Sequence, residues 1–405
     1  MLAAAGLPIY IHAPKVYVDS YGVGLTALAG VLFVLRLFDV VQDPFLGWLA
    51  QRLRARRALA VLCGVVVLAG AMIGLFFVPP PIAPLWWFAL MMTGLFSAFS
   101  FLTICMYAQG VAAAPRLGPQ GYLGLAAWRE TGALLGVCVA AVAPTAMDAT
   151  GDPYGNFALG FAGVCSVALW LMRHEWTGAD ATGAAAGDSG FRAVLSDPVA
   201  RRLLLVALMN AAPVAVSSTL FLFYVESVLA APGWEGPLLL LFFLAAAGTA
   251  PVWTIAATRF GARAMLLVAM ALAIAAFSLV LLLGPGDTLA FALICLASGA
   301  ALGADFALLP ALFSRRMEQI APEAAAGFGL WAFVSKLTLA FAAVVLLPTL
   351  DMVGFRSGAA NPQAALDVLT YLYALVPCVL KLGAMAVLAT TPLQELGGGI
   401  SIKRV

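Results

Sequence analysis

Apolar runs long enough to cross a lipid bilayer dominate this chain of 405 residues. A transmembrane helix needs about 20 consecutive apolar residues, and short loops with proline, glycine or charged residues separate the runs. With 64% hydrophobic and only 10% charged residues, the chain is predicted to be an all-α integral membrane protein. The eleven runs lie at residues 22–49, 58–78, 85–110, 122–147, 156–173, 200–229, 236–257, 264–284, 288–312, 326–350 and 365–391.

The segment before the first run, "MLAAAGLPIYIHAPKVY", is also apolar but is interrupted by Pro8, Pro14 and Lys15. It lacks the basic start and the small-residue cleavage site of a signal peptide. We interpret it as the outer part of a further helix that is shorter than the others at its cytoplasmic end. The sequence therefore predicts twelve membrane helices, of which the first is apparently truncated.

The distribution of lysine and arginine predicts the orientation of these helices, because cytoplasmic loops collect basic residues. One set of alternate loops holds most of the 21 basic residues, beginning with "QRLRARR" at 51–57, whereas the opposite loops hold only Lys15 and Arg356. The first set is predicted to be cytoplasmic, so both termini lie inside if the first helix is complete. We expect a multi-pass protein of the cytoplasmic (inner) membrane, surrounded by the lipid bilayer.

Two related halves are predicted around a polar, Gly- and Ala-rich stretch, "TGADATGAAAGDSG" at 177–190, which is typical of a flexible linker. When the halves are aligned so that Pro44 meets Pro251, Arg129 meets Lys336. This offset equals six helices, as a transporter built from parallel repeats requires. The predicted parts are an N-terminal six-helix bundle at 1–175, a cytoplasmic linker at 176–199, a C-terminal six-helix bundle at 200–392 and a cytoplasmic tail at 393–405.

Charged residues stand inside the first run, in "VLRLFDVVQDPFLGW" at 34–48. Arg36, Asp39 and Asp43 are spaced i, i+3 and i+7, so they project from one helix face. Each would cost about 3 kcal/mol at the bilayer centre, so this face must line protein or a water-filled cavity. Pro44 frees a backbone carbonyl one turn earlier. Such oxygens suit a small cation, and a buried carboxyl can equally hold a proton. The alternative is a structural ion pair with Arg36.

This R-x-x-D-x-x-x-D-P pattern, followed by "LGWLAQRLRARR", resembles helix II and the next loop of the glycoside-pentoside-hexuronide:cation symporters. These form the melibiose permease group of the major facilitator superfamily. "AAWRETGALLG" (126–136) resembles their helix V, "GLWAFVSKLTLAF" (329–341) their helix XI and "ALGADFALLPAL" (301–312) their helix X. The resemblance covers nearly the whole chain and implies a twelve-helix (6+6) transporter that works by alternating access.

The resemblance also implies roles for individual residues. Asp39 and Asp43 would hold the coupling cation, and Arg129 and Lys336 would organise the polar cavity that receives a sugar. Sodium-coupled members have a further aspartate in helix IV, which "FSFLTICMYAQG" at 99–110 lacks. One proton would neutralise the triad of one arginine and two aspartates as well as one sodium ion, without additional oxygen ligands. We therefore favour a proton over sodium.

Further residues of the predicted spans are candidates for the substrate cavity. Asp305 lies near the middle of the tenth span, where an unpaired carboxylate is costly, so it either serves the site or pairs with Lys336. Asn210 belongs to an unusually polar seventh span, typical of a substrate-facing helix or of interhelical hydrogen bonding. Glu130 is interpreted as a helix-end charge. Aromatic rings can stack on a sugar or simply pack, and the aromatic candidates are Trp128, Tyr107, Tyr224 and Trp331.

Enzymatic chemistry has little support in this sequence. There are only two histidines, the six cysteines occur singly without C-x-x-C spacing, and no Walker loop, nucleophile elbow or HExxH motif is present. We therefore predict no enzyme, no catalytic residue, no cofactor other than a coupling H⁺ or Na⁺, and no nucleic acid. Sodium, if used, would bind at Asp39 and Asp43.

The function predicted from these observations is secondary active transport. The chain would be a monomer that couples a cation gradient to symport of a sugar, a glycoside or a similar polar solute. Two alternatives within transport are a proton-driven exporter and a carrier of a lysolipid-type amphipathic solute. A third is a membrane sensor on the same scaffold that transports nothing.

Overall fold

The computed structural model describes residues 2–5, 13–14, 16–18, 20–118, 120–147, 151–176, 190–320, 325–356 and 361–393. Within these ranges the chain forms helices and loops and contains no strand. Helix α1 is described at residues 13–14, 16–18 and 20–21. The other helices are α2 (Leu25–Arg52), α3 (Arg57–Phe76), α4 (Pro84–Ala113), α5 (Gly121–Ala146), α6 (Pro153–Leu171), α7 (Gly190–Ser196), α8 (Pro198–Phe223), α9 (Glu235–Phe260), α10 (Ala262–Ser278), α11 (Thr288–Ile320), α12 (Ala325–Met352) and α13 (Gln363–Thr390).

Each of the eleven apolar runs corresponds to one long helix. Ten helices of the described chain are long and apolar enough to cross a membrane. Helix α2 is outside these ten, although it has 28 residues, and it carries the charged residues discussed above. The prediction of an all-α membrane protein is confirmed. The predicted shortening of the first helix, the 177–189 linker segment and most of the predicted tail concern residues outside the described ranges.

Local sequence signals explain where several helices begin. Asp152 accepts a hydrogen bond from the backbone N–H of Gly155 at 3.0 Å, and Asp197 accepts one from Ala200 at 2.7 Å. Both aspartates precede a proline that occupies the first helical position. An aspartate cap followed by proline is a favoured helix start, because the cap satisfies a free N–H and proline lacks one. These caps start α6 at Pro153 and α8 at Pro198, slightly before the apolar runs that begin at residues 156 and 200.

Internal prolines interrupt the hydrogen bonding of many helices. Each removes one donor and frees a carbonyl one turn earlier. A polar backbone group inside a membrane span needs a protein or water partner, so these positions mark places where polar groups are accommodated. The internal prolines are Pro44, Pro144, Pro213, Pro251, Pro310, Pro348 and Pro377.

The chain divides into two compact units. The first comprises Met1–Ala112, Gly132–Val194 and Ala321–Phe333, and the second comprises Ala113–Thr131, Leu195–Ile320 and Val334–Val405. The bundle and linker boundaries that we predict from the sequence remain predictions.

The core of the second unit contains a group of aromatic rings. The ring of Tyr224, at the end of α8, is fully buried and stacks on Tyr373 of α13 with centroids 4.4 Å apart. The hydroxyl of Tyr224 donates to the carbonyl of Val280 at 3.3 Å. The ring centroid of Phe291, in α11, lies 5.4 Å from that of Tyr224. This packing joins the ends of α8, α11 and α13.

Candidate functional site

The two aspartates of α2 lie on its buried face. Asp39 is 7% exposed and Asp43 is fully buried. The opposite face of the same helix exposes Phe33, Val34 and Val41 to 55%, 62% and 70%. This division is the one that the cost of placing a carboxylate in lipid requires. The backbone of Arg36 belongs to α2, but its side chain lies outside the described part of the structure, so its role in the triad remains a prediction.

Neutral polar side chains form a hydrogen-bonded group at Asp39. Gln42 donates from Nε2 to Asp39 Oδ1 at 3.1 Å, and Ser97 of α4 donates from its hydroxyl to Gln42 Oε1 at 2.7 Å. Ser100, one turn further along α4, donates to Asp39 Oδ1 at 3.4 Å. Helix α4 thus contributes two hydroxyls to this site.

A close crossing of α2 and α12 fixes the backbone beside Asp43. A Cβ atom on Gly47 would lie 2.9 Å from the carbonyl oxygen of Ala325. A Cβ on Gly329 would lie 2.8 Å from the carbonyl oxygen of Asp43. Only glycine permits such an approach between two backbones. The pair Gly47 and Gly329 therefore sets the distance between the two helices one turn from the acid.

The chemistry of this site follows from its atoms. Two carboxylates, one amide and two hydroxyls provide the oxygen atoms of this site. Oxygen donors of this kind suit hard cations. The same carboxylates accept hydrogen bonds when ionised and carry a proton when neutral. The site can therefore hold a proton or a small hard cation.

Arg129 and Glu130, consecutive residues of α5, form a second charged group. The guanidinium Nε of Arg129 donates to Glu130 Oε1 at 2.8 Å, and the two side chains are 14% and 12% exposed. Glu130 lies well inside Gly121–Ala146. Our interpretation of Glu130 as a helix-end charge is therefore wrong, because α5 continues on both sides of Glu130, which pairs with Arg129 instead. The adjacent Trp128 is 83% exposed.

Asp305 of α11 pairs with Lys381 of α13. Lys381 donates from Nζ to Asp305 Oδ2, and the residues are 4% and 5% exposed. The expectation that Asp305 pairs with Lys336 is therefore wrong. The energetic reasoning was sound, since a buried carboxylate needs a partner, but the choice of partner depends on which helices are neighbours. Lys336 is half-buried on α12.

A small cavity adjoins this ion pair inside the second unit. It has room for about 40 Å³ of water-sized solvent, and Asp305 and Lys381 belong to its walls together with residues of α8, α9 and α10. Asp305 Oδ1 and the buried Asn210 Oδ1 have no hydrogen-bond partner of normal geometry among the residues that the structure describes, and the Asn210 side chain lies next to the Asp305 carboxyl. A polar cavity larger than about 15 Å³ can hold ordered water. Water in this cavity would satisfy Asp305 Oδ1, which lines it.

The comparison with known proteins identifies the family. A family model described as "MFS/sugar transport protein" matches residues 1–395. The chain belongs to this family. MFS stands for major facilitator superfamily, so this family member is a multi-pass membrane transporter and not an enzyme, and its family implies a small polar solute. The superfamily predicted from the resemblance is confirmed, while the melibiose permease group remains a prediction.

Solved structures share the fold of this MFS transporter. A bacterial homologue of the iron transporter ferroportin, in an outward-facing state, superposes with a TM-score of 0.69 at 15% identity over 96% of each chain. The Escherichia coli fucose:proton symporter superposes with a TM-score of 0.68 at 13% identity, over 97% of this chain and 96% of that chain. No curated protein matches the chain.

The aromatic candidates occupy different environments in the transporter. Tyr107 of α4 packs against Phe328 of α12, with ring centroids 4.7 Å apart. Trp331 of α12 is half-buried, and Trp128 is exposed. Tyr224 belongs to the packed aromatic core described above, with no exposed surface in this conformation. Among the four rings, Tyr224 is the one that packing explains fully.

Sequence reasoning missed three residues of the acidic site on α2 and one residue of the ion pair with Asp305. Gln42, Ser97 and Ser100 were not singled out, although they follow helical spacing: Gln42 is three residues after Asp39, and the serines are three residues apart. Lys381 lies within the apolar run at 365–391 but received no role. Its signal was the same as that of Asp305, a charge inside an apolar run.

Proposed function

We propose that this MFS transporter is a cation-coupled symporter that carries a sugar, a glycoside or a similar polar solute by alternating access. The observation that carries the proposal is the buried pair Asp39 and Asp43 on α2, with Gln42, Ser97 and Ser100 around it. Ionised acids buried within a membrane span raise the free energy of the folded protein, so they are usually either functional or neutralised by a partner. A coupling cation would neutralise them.

Charge balance supplies the coupling mechanism. With both carboxylates ionised, one arginine leaves about one net negative charge in a low-dielectric region, which opposes closure of the site around it. Binding of one cation removes that charge and permits the conformational change. Because the solute would bind to the same cation-loaded state, a cation gradient would drive accumulation of the solute.

We favour a proton as the coupling cation. A sodium ion needs several oxygen ligands at once, and the oxygens of Gln42 and Ser97 already bond to each other at 2.7 Å. A proton needs one carboxylate oxygen only. Asp43 is the proposed carrier, because it is fully buried and lies at the crossing with α12. The proton would arrive from the aqueous side that the site faces and leave on the other.

The proposed solute site uses the remaining polar residues. Arg129 and Lys336 would donate hydrogen bonds to hydroxyl or anionic groups, and Trp128, Tyr107 and Trp331 would offer ring faces to a sugar. Asp305 and Asn210 would act through the hydrated ion pair with Lys381. The two bundles, predicted at 1–175 and 200–392, would rock about this site. The transporter is proposed to work as a monomer in the cytoplasmic membrane, with both termini inside.

Transport in proteoliposomes tests the proposal. The purified transporter is reconstituted, and uptake of radiolabelled sugars and glycosides is measured under an imposed proton gradient or sodium gradient, each without the other. We expect accumulation under an inward proton gradient. Asp43→Asn should abolish accumulation and keep solute exchange, because it fixes the neutral state. The control Asp351→Asn, which removes an exposed carboxylate at the end of α12, should accumulate solute normally.

Three results would contradict the proposal. Accumulation by Asp43→Asn under a proton gradient would exclude Asp43 as the carrier. Uptake that requires sodium and ignores pH would exclude the proton. If the solute leaves the proteoliposomes and does not enter them under an inward proton gradient, the exporter alternative is favoured.

A further inference from the structure

A groove on the surface of the first unit runs between α2, α3 and α4. Its volume is about 370 Å³. One stripe of α3, with spacing i, i+1, i+4, i+5 and i+8, forms one wall, and apolar side chains of α2 and α4 form the others. The α3 residues of this stripe are Leu59, Ala60, Cys63, Gly64 and Val67.

Small residues give the groove its depth. Ala60 and Gly64 of α3 face Ala98 of α4. The floor is tight, since a Cβ on Gly64 would lie 3.0 Å from the side chain of Leu102. From Arg56 to Val67 the groove follows α3 over about 16 Å. A slot of this length and apolarity, along a helix long and apolar enough to span a membrane, fits an extended hydrocarbon chain.

One end of the groove is strongly basic. Arg56 is the charged residue of its lining, and Arg52, Arg54 and Arg57 lie within five residues of it. The sequence contains no aspartate or glutamate between Asp43 and Glu130, so α3 and α4 themselves carry no acidic side chain.

Two of these arginines have neutral partners. Arg57 donates to the side-chain oxygen of Gln109 at 2.9 Å. The guanidinium of Arg52 lies 4.3 Å from the ring centroid of Trp48. Neither partner removes the positive charge, so the basic end of the groove attracts an anion.

We propose that this groove binds a phospholipid with a net negative headgroup, whose acyl chain lies along α3 and whose phosphate contacts Arg56. An apolar slot that ends at Arg56, within a cluster of arginines, matches the two parts of such a lipid. Basic residues next to a membrane attract anionic headgroups, with about 1 kcal/mol for each arginine, or about a fivefold change in affinity. The proposal is independent of the transported solute and of the coupling ion.

Cys63 provides a reporter inside the groove. Of the cysteines, all of which are described, Cys63 alone is exposed. In detergent, the labelling rate of Cys63 by a maleimide dye is measured with added dioleoyl-phosphatidylglycerol, with dioleoyl-phosphatidylcholine or with sodium phosphate, and Cys63→Ser gives the background. We expect phosphatidylglycerol alone to slow the labelling at low lipid concentration. Equal protection by phosphatidylcholine, or protection by phosphate without lipid, would overturn the proposal.

Variants test each part of the lipid separately. Arg56→Gln should weaken protection by phosphatidylglycerol about fivefold, whereas Arg259→Gln, which changes an exposed arginine of α9 that does not line the groove, should not. Native mass spectrometry should show that Ala60→Phe, which fills the groove, loses bound phosphatidylglycerol. Leu62→Phe, on another face of α3, should keep it. Unchanged binding in Arg56→Gln, or equal loss in both phenylalanine variants, would refute the proposal, and Arg56→Gln decides the matter if Ala60→Phe does not fold.

Discussion

Removal of Lys381 should destabilise the transporter more than removal of both members of its ion pair. In Lys381→Met the ammonium disappears and Asp305 remains, 4% exposed, with one carboxylate oxygen already lacking a partner within the described residues. Breaking a buried pair in this way costs about 3–5 kcal/mol, because an uncompensated charge stays buried. When Asp305→Leu accompanies Lys381→Met, no charge remains, and such a replacement is often neutral or stabilising.

A double-mutant cycle measures this difference. Thermal unfolding of the purified transporter is followed for both single variants and the double variant. We expect Lys381→Met to lower Tm by about 5 °C or more, and the double variant to recover most of this loss, so the coupling free energy exceeds about 2 kcal/mol. Lys336→Met serves as the comparison, because Lys336 is only half-buried, and it should lose less stability.

One outcome would refute the reasoning. If the double variant is as unstable as the sum of the single variants, Asp305 and Lys381 do not interact and the pairing is incorrect. The cavity beside the pair gives a second check. An ordered water within hydrogen-bonding distance of Asp305 Oδ1 is expected in an experimental structure that resolves solvent, since the cavity has room for it.

Three further predictions concern other contacts. Gly329→Ala should destabilise the transporter by about 1–3 kcal/mol in thermal unfolding, because the new Cβ meets backbone atoms. The control Gly30→Ala, whose Cβ would have nothing within 4 Å, should stabilise α2 by about 1 kcal/mol. Equal effects of the two substitutions would contradict the close crossing of α2 and α12. Gln42→Leu removes the hydrogen bonds that join Gln42 to Asp39 and to Ser97 of α4, and the cation concentration for half-maximal uptake should change about tenfold. An unchanged value would show that Gln42 takes no part in coupling. Asp197 lies outside the membrane spans, and the hydrogen bond that it accepts from Arg316 holds its pKa below the ordinary value. Asp197→Asn should therefore lower Tm at neutral pH, and the Tm difference from the unmodified protein should shrink as pH falls below about 4. A Tm difference that is independent of pH would exclude the ionic contribution.

The helices were predictable because the bilayer imposes their length and apolarity. All eleven runs became helices, yet some boundaries differ. The apolar run that ends at residue 312 continues as helix to Ile320. The polar segment "SRRMEQ" at 314–319 ends the apolar run, but its backbone continues the helical hydrogen bonding. Apolarity therefore locates the membrane and does not locate the helix end.

The charged positions were predictable, but their partners were not. The cost of a charge in lipid identifies Asp39, Asp43 and Asp305 from the sequence alone. Whether Asp305 meets Lys336 or Lys381 depends on which helices are neighbours, which no local pattern encodes. The neutral residues Ser97 and Ser100 gave no signal, because serine in a membrane helix commonly bonds to its own backbone.

The crossing of α2 and α12 has a mechanical consequence. At Gly47 and Gly329 no side chain separates the two backbones. No side chain can therefore change its rotamer there to accommodate a movement of one helix against the other. Packed protein interiors are hardly compressible. A displacement of the start of α12 by one ångström therefore has to shift the turn of α2 that contains Asp43 or break the contact. The turn of α2 that carries Asp43 and the start of α12 therefore move together while the two glycines are in contact.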